Sequence, residues 1–499
     1  MKKIFLILTV LIVTLSYSQE SIEDGLRFAQ SNLNGTARFK SMGGAFGALG
    51  GDLSSMNINP AGSVIFANNQ IGVSLSNANI SNKSNYFGTE NTKNKSAIDL
   101  NQFGGVFVFK NSNSNWNKMA FSVNYENTKN LDNSVRFSGN NPYNSVGNYF
   151  LSYANGVYLG DINTYSFSQL YYNEQQAYLA YNAYVINPVV NNPSNYLYDS
   201  NVPAGANYYQ QNEIKSTGYN GKLSINFATQ YKEKLSLGIN INSHFFDYTR
   251  STSFFERNDY VNTTTNDYVK RVYFNNDFHS YGSGVSLQLG AIVKPTKEVR
   301  IGLSYESPTW FKVVDETTQN VTAVSGNNTG ELNPDVSNPN TTMILPEFKL
   351  KTPSKFTGSL AYVFGKRGLI SLDYSMKNYN KISFKPKSDA VFNEINIANT
   401  KMLTSSSDLR LGAEYKIKLI SLRGGYHWEQ SPYKNHLNMG DSTTYSGGIG
   451  YNFGATKLDL AYSHSKNYYN QQMFSQGLTD GAKISTVNHS ITATLLLEL

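Results

Sequence analysis

Along much of this chain every second residue is apolar and the residues between are small or polar. From Lys234 to His244, Leu235, Leu237, Ile239 and Ile241 share one face, and Ser236, Gly238, Asn240 and Asn242 the other. Ile370, Leu372, Tyr374 and Met376 alternate in the same way with Ser371, Asp373, Ser375 and Lys377. Ile420, Leu422, Tyr426 and Trp428 alternate with Ser421, Arg423, His427 and Glu429, and the chain finishes on Ile491, Ala493, Leu495, Leu497 and Leu499. A period of two is the period of a β-strand. Where the second face carries Arg, His and Glu it needs water, so these strands read as a wall with lipid outside and a wet lumen inside.

Strands of this kind start near Gln70, Ile98, Asn117, Lys215, Lys234, Arg271, Lys297, Glu347, Arg367, Lys401, Lys418, Thr443, Thr456 and Lys483. That makes about fourteen, an even number as expected for a bacterial barrel. The connections alternate in length. Short turns fall at Tyr231 to Lys234, Lys294 to Glu298, Gly365 to Gly368 and Phe453 to Thr456, and long polar links at Leu131 to Glu213, Thr252 to Lys270, Glu316 to Pro346 and Ser431 to Ser442. Short turns on one side and long loops on the other are the asymmetry of outer-membrane barrels. Within the longest link, Phe167 to Ile186 lacks Gly and Pro and spaces Leu170, Ala177, Tyr178, Tyr181 and Val185 near a helical period, predicting a short amphipathic helix over the barrel mouth. The expected fold is all-β, a transmembrane antiparallel β-barrel.

Composition agrees with strands. Tyr (36) and Phe (28) are abundant and charged residues make up only 15%. Cysteine is absent, so disulfides, thiolate metal sites, cysteine nucleophiles and an N-terminal lipid anchor are excluded together. The net charge of +7 is spread without a basic run, which speaks against nucleic acid and suits attraction to anionic lipid headgroups. Lys2 and Lys3, an apolar run from Ile4 to Leu15 and Ser16-Tyr17-Ser18 have the layout of a secretory signal over residues 1–18. Beyond it no apolar stretch approaches the roughly 18 to 20 residues of a membrane-spanning helix.

Residues 19–69 break the alternation. They hold Arg38-Phe39-Lys40-Ser41-Met42-Gly43-Gly44-Ala45-Phe46-Gly47-Ala48-Leu49-Gly50-Gly51-Asp52, then Asn59-Pro60-Ala61-Gly62. The glycine spacing fits neither G-x-G-x-x-G nor a Walker loop, and no strand leads into it, so a nucleotide site is not indicated. Tight turning inside a confined lumen explains the glycines better. This stretch resembles the N-terminal hatch, with its NPA motif, of the FadL/TodX-type outer-membrane transporters of long-chain fatty acids and other hydrophobic compounds. Further similarity lies in Ile301-Gly302-Leu303-Ser304-Tyr305-Glu306-Ser307-Pro308, in Leu350-Lys351-Thr352-Pro353, and in the pair Leu409 to Tyr415 and Leu422 to Tyr426 followed by Ser431-Pro432.

The resemblance implies a hatch at 19–69, gated around Asn59, Pro60, Ala61, Gly43, Gly44, Gly50 and Gly51, inside a barrel at 70–499 with extracellular loops at 131–213 and 316–346. It further implies a monomer in the outer membrane that passes a fatty acid or aromatic compound, without cofactor, from the loops past the hatch to a lateral opening where the third strand kinks. Asn117 to Asn130 contains no Gly or Pro to mark that kink. Two other readings stand beside it: a shuttle-like interaction protein of the type IX secretion system, and a general porin. Enzymatic and metal chemistry find no support, because the six histidines form no i, i+4 pair and no G-x-S-x-G occurs. Arg423, pointing inward, is a candidate for a ligand carboxylate, or else for a lumen ion pair with Glu429 or Glu414.

Overall fold

The computed structural model describes residues 22–261 and 265–499; the expected signal segment, 1–18, lies outside them. Fourteen antiparallel strands close into a barrel. They are β1 Gln70–Tyr86, β2 Thr89–Lys110, β3 Trp116–Asn130 (continued by Asn133–Asn141), β4 Tyr208–Tyr231, β5 Leu235–Asn258, β6 Tyr268–Val293, β7 Val299–Glu306 with Trp310–Asn327, and β8 Phe348–Lys351 with Lys355–Phe364. The rest are β9 Gly368–Asn378, β10 Ser405–Ile417, β11 Ile420–Glu429, β12 Ser442–Asn452, β13 Thr456–Gln472 and β14 Gly481–Glu498. Closure is made by β14 against β1, in register from Gln70↔Glu498 to Asn85↔Lys483. No sheet edge is therefore left at the chain's end, as closed barrels require.

The alternation read from the sequence is the inside–outside alternation of this wall. Leu237, Ile239, Ile241, Ile370, Leu372, Tyr374 and Met376 are all exposed on the outer face, whereas Ser236, Asn240, Asn242, Ser371, Asp373 and Ser375 are buried in the lumen. Aromatic residues rim the outer apolar band at both edges: Trp116, Tyr231, Tyr362, Phe364, Tyr415, Tyr451 and Phe453 toward the short turns, and Tyr219, Tyr281, Tyr374, Trp428, Tyr445 and Tyr462 toward the long loops. Such girdles mark the two faces of a bilayer.

Several strands run past the expected limits. β2 begins nine residues before Ile98, and β5 and β6 extend through most of the expected Thr252–Lys270 link. The β2 extension is polar on both faces, because above the bilayer neither face meets lipid, and those of β5 and β6 turn Phe254 and Val269 inward to the cap, so a lipid-facing period of two does not reveal them. The helix expected at 167–186 is shorter, α5 Tyr172–Asn182. With α3 Val146–Ala154, α4 Leu159–Thr164 and a small hairpin (Ile186–Pro188 with Tyr198–Ser200) it builds a cap over the mouth. The cap buries Tyr149, Phe150, Leu179 and Ile186 against Tyr86, Phe137, Phe254, Phe274 and Ile484 of the strands. A further long link, between β9 and β10, carries α6 Ala390–Met402.

Candidate functional site

Residues 22–69 form no barrel strand, and from Thr36 to Phe66 nearly every side chain is buried inside the lumen. Helix α2, Ala37–Ser41, is capped by Thr36, whose hydroxyl accepts from the Phe39 amide and donates to Asp52 at 2.8 Å. Asn59 caps the 3-10 turn Pro60–Ile65 by accepting from the Ala61 amide, and its amide group donates to the carbonyls of Gly47 (2.7 Å) and Ala291 (3.0 Å). One asparagine thus starts the helical turn and ties it to β6. Gly43, Gly44, Gly50 and Gly51 all have left-handed φ of 61° to 76°. At Gly43 a Cβ would stand 2.7 Å from the Tyr426 carbonyl of the wall, so the loop passes there only because it has no side chain. The wall matches: at Gly238 and Gly290 a Cβ would lie 2.4 Å and 2.0 Å from Pro60 and Asn59.

Ion pairs hold this segment from the other side. Arg38 meets Glu414 at 2.8 Å, and Glu414 also receives Arg423 at 2.7 Å, while Arg423 reaches Asp459 at 2.6 Å. Arg423 makes the lumen ion pair with Glu414 that was one of the two roles open to it, and through Glu414 it is linked to Arg38. Asp373 accepts the amides of Phe46 and Gly47, Arg300 donates to the Leu49 carbonyl at 2.9 Å, and Gln288 donates to the Asn57 and Ile58 carbonyls. Burial pushes the Lys40 ammonium down to about 8, with Asp99 opposing, and among the described residues it donates to the Ser490 hydroxyl at 2.9 Å.

The first part of the segment, Ile22–Gly35, is held differently. Helix α1, Ile22–Ala29, inserts Leu26 and Phe28 into an apolar cluster of Phe246, Phe311, Phe348, Leu350, Phe384 and Phe392. The Phe28 and Phe246 rings are 4.0 Å apart. Below the cluster a cavity of about 80 Å³ lies between this arm and the wall. Its wall side presents Glu126, Lys222, His244, Lys355, Lys377 and Arg410. Glu126, Lys222 and His244 sit in one cross-strand row on β3, β4 and β5. Glu126 accepts from Asn57, Lys355 pairs with Glu306 and Arg410 with Asp408. Among the described residues Lys222 makes no hydrogen bond or ion pair, although it is only 5% exposed.

No family model and no curated protein matches this sequence. Among solved structures, that of a FadL homologue from Pseudomonas aeruginosa superposes with a TM-score of 0.55 at 11% identity, over 94% of this chain and 99% of that one. CymD, a monoaromatic hydrocarbon channel, gives 0.50 at 14% identity over 94% and 99%. The fold is that of the FadL-type channels. At such identities the likeness speaks for the backbone, and the site has to be argued from this chain's own residues.

In this FadL-type barrel the wall is incomplete at one place. β2 pairs with β3 only from Lys110↔Lys118 up to Gln102↔Glu126, although β1 follows β2 to Thr89. Above that level β3 shifts register at Asn127/Lys129, and its continuation, Asn133–Asn141, pairs with β4 alone. That continuation leans inward, where Asn82 and Ser84 of β1 donate to the Ser134 and Arg136 carbonyls at 2.8 Å and 2.7 Å. Lys93 and Glu213 close the gap at the top, 3.1 Å apart. The window left between β2 and β3 is filled from inside by the arm. The Asn32 amide donates to the Thr128 carbonyl at 2.9 Å, the Asn34 side chain to the Asn127 carbonyl at 2.8 Å, and Asn101 of β2 to the Gly35 carbonyl at 3.4 Å. No Gly or Pro announces this break. An asparagine-rich bulge makes it, and the one sequence signal is the loss of alternation after Tyr125.

Proposed function

We propose that this protein is an outer-membrane channel for passive uptake of hydrophobic small molecules carrying a carboxylate, long-chain fatty acids among them. The observation that carries the reading is the cavity beside the arm, with the unpaired Lys222 ammonium on one side, the phenylalanine cluster above it and the wall window beside it. An ammonium kept out of water is stabilised by an incoming carboxylate, and an aliphatic tail gains roughly 0.8 kcal/mol per methylene on leaving water. No energy source is needed, because the gradient of apolar transfer runs toward the bilayer.

A cavity of about 80 Å³ accommodates a headgroup and falls far short of the roughly 300 to 1,000 Å³ of pockets that enclose a whole ligand. Phe28 and its neighbours occupy the volume that a tail requires. Ligand entry therefore displaces the arm, and the same arm seals the window through Asn32 and Asn34, so release of one end frees the other. A ligand acts here through its different affinities for the two positions of the arm. Residues 19–69 on this reading are the hatch, with 36–66 as its fixed part and Asn59, Pro60 and Ala61 as anchors.

Uptake of radiolabelled oleate and of a neutral aromatic by a deletion strain carrying the wild-type or Lys222→Met protein tests the proposal. Lys222→Met is expected to weaken oleate uptake about tenfold, the worth of one charge-assisted contact, and to leave the neutral compound unchanged. Equal uptake by deletion and wild-type strains for both compounds removes the transport reading; an equal loss for both compounds in Lys222→Met removes the carboxylate.

A further inference from the structure

The outer wall carries a charged feature that uptake does not use. On the outward face of β12, β13, β14 and β1, successive cross-strand rows climb from the short turns to the loops. The lower rows are apolar: Leu458 beside Leu495, Leu460 beside Ala493, and Tyr462 beside Ile491. The next row sets His464 directly opposite His489, flanked by Tyr445 on β12 and Asn79 on β1. The two imidazole rings are 4.8 Å apart, and the Tyr462 hydroxyl lies 2.6 Å from His489 Nδ1. A phenol donating to Nδ1 leaves the Nε2–H of that ring as a donor. Lys466 is two residues further on the same face, and Lys483 stands higher on β14. Neither lysine makes an ion pair among the described residues, whereas Lys83 of β1 is paired with Glu90 at 2.9 Å.

The height of this cluster decides what it meets. From Thr456 to His464 is eight residues, about 27 Å along a strand and near 20 Å along the barrel axis once a tilt of roughly 40° is allowed. An apolar band is about 25 Å tall, and the histidines share a row with Tyr445 of the loop-side aromatic girdle, so the pair stands in the upper edge of the band, next to the lipid headgroups. Two imidazoles side by side with an unpaired lysine above them present converging N–H donors and positive charge to an anion bearing several acceptor oxygens.

We propose that His464, His489 and Lys466 form a binding site for the phosphate of a lipid headgroup in the outer leaflet, holding the β13–β14–β1 side of the barrel at a fixed depth. The proposal rests on the membrane reading of the barrel and is independent of its cargo.

The test is native mass spectrometry of the full-length, detergent-purified protein titrated with mono-phosphorylated lipid A, with its enzymatically dephosphorylated counterpart, and with inorganic phosphate as competitor. Wild type is expected to bind the phosphorylated lipid at least tenfold better than the dephosphorylated one, a preference that the triple variant His464→Gln, His489→Gln, Lys466→Gln loses, since each surface cation is worth about a fivefold factor in such binding. Millimolar inorganic phosphate is expected to compete poorly, because it has no acyl chains to bury. Retention of the preference by the triple variant, no preference in wild type, or full competition by free phosphate overturns the proposal. Membrane fractionation and oleate uptake of the same variant are expected to be unchanged. If the triple variant fails to reach the membrane, the single variant Lys466→Gln carries the test: it is expected to lose about fivefold of the preference, and full retention overturns the proposal.

Discussion

The two halves of the lumen segment lie end to end in sequence and are held by different balances of polar and apolar contact. Thr36 to Phe66 is fastened by polar contacts drawn from all round the wall: Glu414, Asp373, Arg300, Gln288, Asn240 and Asn226 each reach a hatch group. Ile22 to Gly35 rests on Leu26 and Phe28 in an aromatic cluster, on Arg27 lying 4.0 Å over the Tyr248 ring, on Lys377 and Lys129 donating to the Ala29 and Arg27 carbonyls, and on a few amide contacts at the window. Buried polar networks are directional and costly to leave half-made, so they fix one arrangement. Apolar contacts have no direction and are replaced by any ligand of similar surface. The proposed uptake, in which the plug stays and the arm yields to a hydrophobic ligand, calls for this division.

Breaking the polar side has the largest expected effect. Glu414→Ala leaves Arg38 and Arg423 buried without their shared carboxylate, at a cost of about 3 to 5 kcal/mol. Thermal melting in detergent should fall and planar-bilayer conductance should rise from a closed baseline; if both stay at wild-type values the plug is not anchored there. Breaking the apolar side comes next. Phe28→Ala is expected to weaken the arm by about 3 kcal/mol, seen as faster amide exchange over 22–35 with 36–66 unchanged and as faster uptake. Faster exchange spread evenly over both halves would show that they move as one body, against the comparison. Asn59→Ala removes a cap and two carbonyl contacts, about 1 to 2 kcal/mol, and should raise exchange only at 60–66.

The smallest effect is in pH. Lys40 is charged when free and held down to about 8 by burial, so between about 8 and its ordinary 10.5 the released hatch binds the extra proton, and hatch stability rises with pH. Below about 8 the penalty is present in full. Lys40→Met should therefore be more stable than wild type at pH 7, with the difference closing by pH 10. A difference that is constant or that widens would mean Lys40 is not desolvated in the closed state.

Alternation with period two determined the strands, their number and the lipid-facing side, because a wall with lipid outside and water inside imposes that period on every crossing. The break in alternation at 19–69, with its glycines and Asn59-Pro60-Ala61, marked the segment that is not wall, since only local chemistry is needed to see a turn or a cap. What the sequence did not carry are the meetings of distant residues. Arg423 stood out as an inward charge, but its placement between Glu414 and Asp459, close to Arg38, comes from strand register and hatch path. Lys222, one unremarkable lysine of a β-strand, becomes a candidate for ligand only when β3, β4 and β5 set it between Glu126 and His244 and the arm closes over it. The window between β2 and β3 was silent for the same reason: a missing partner is a property of two strands together, and neither one's sequence records it.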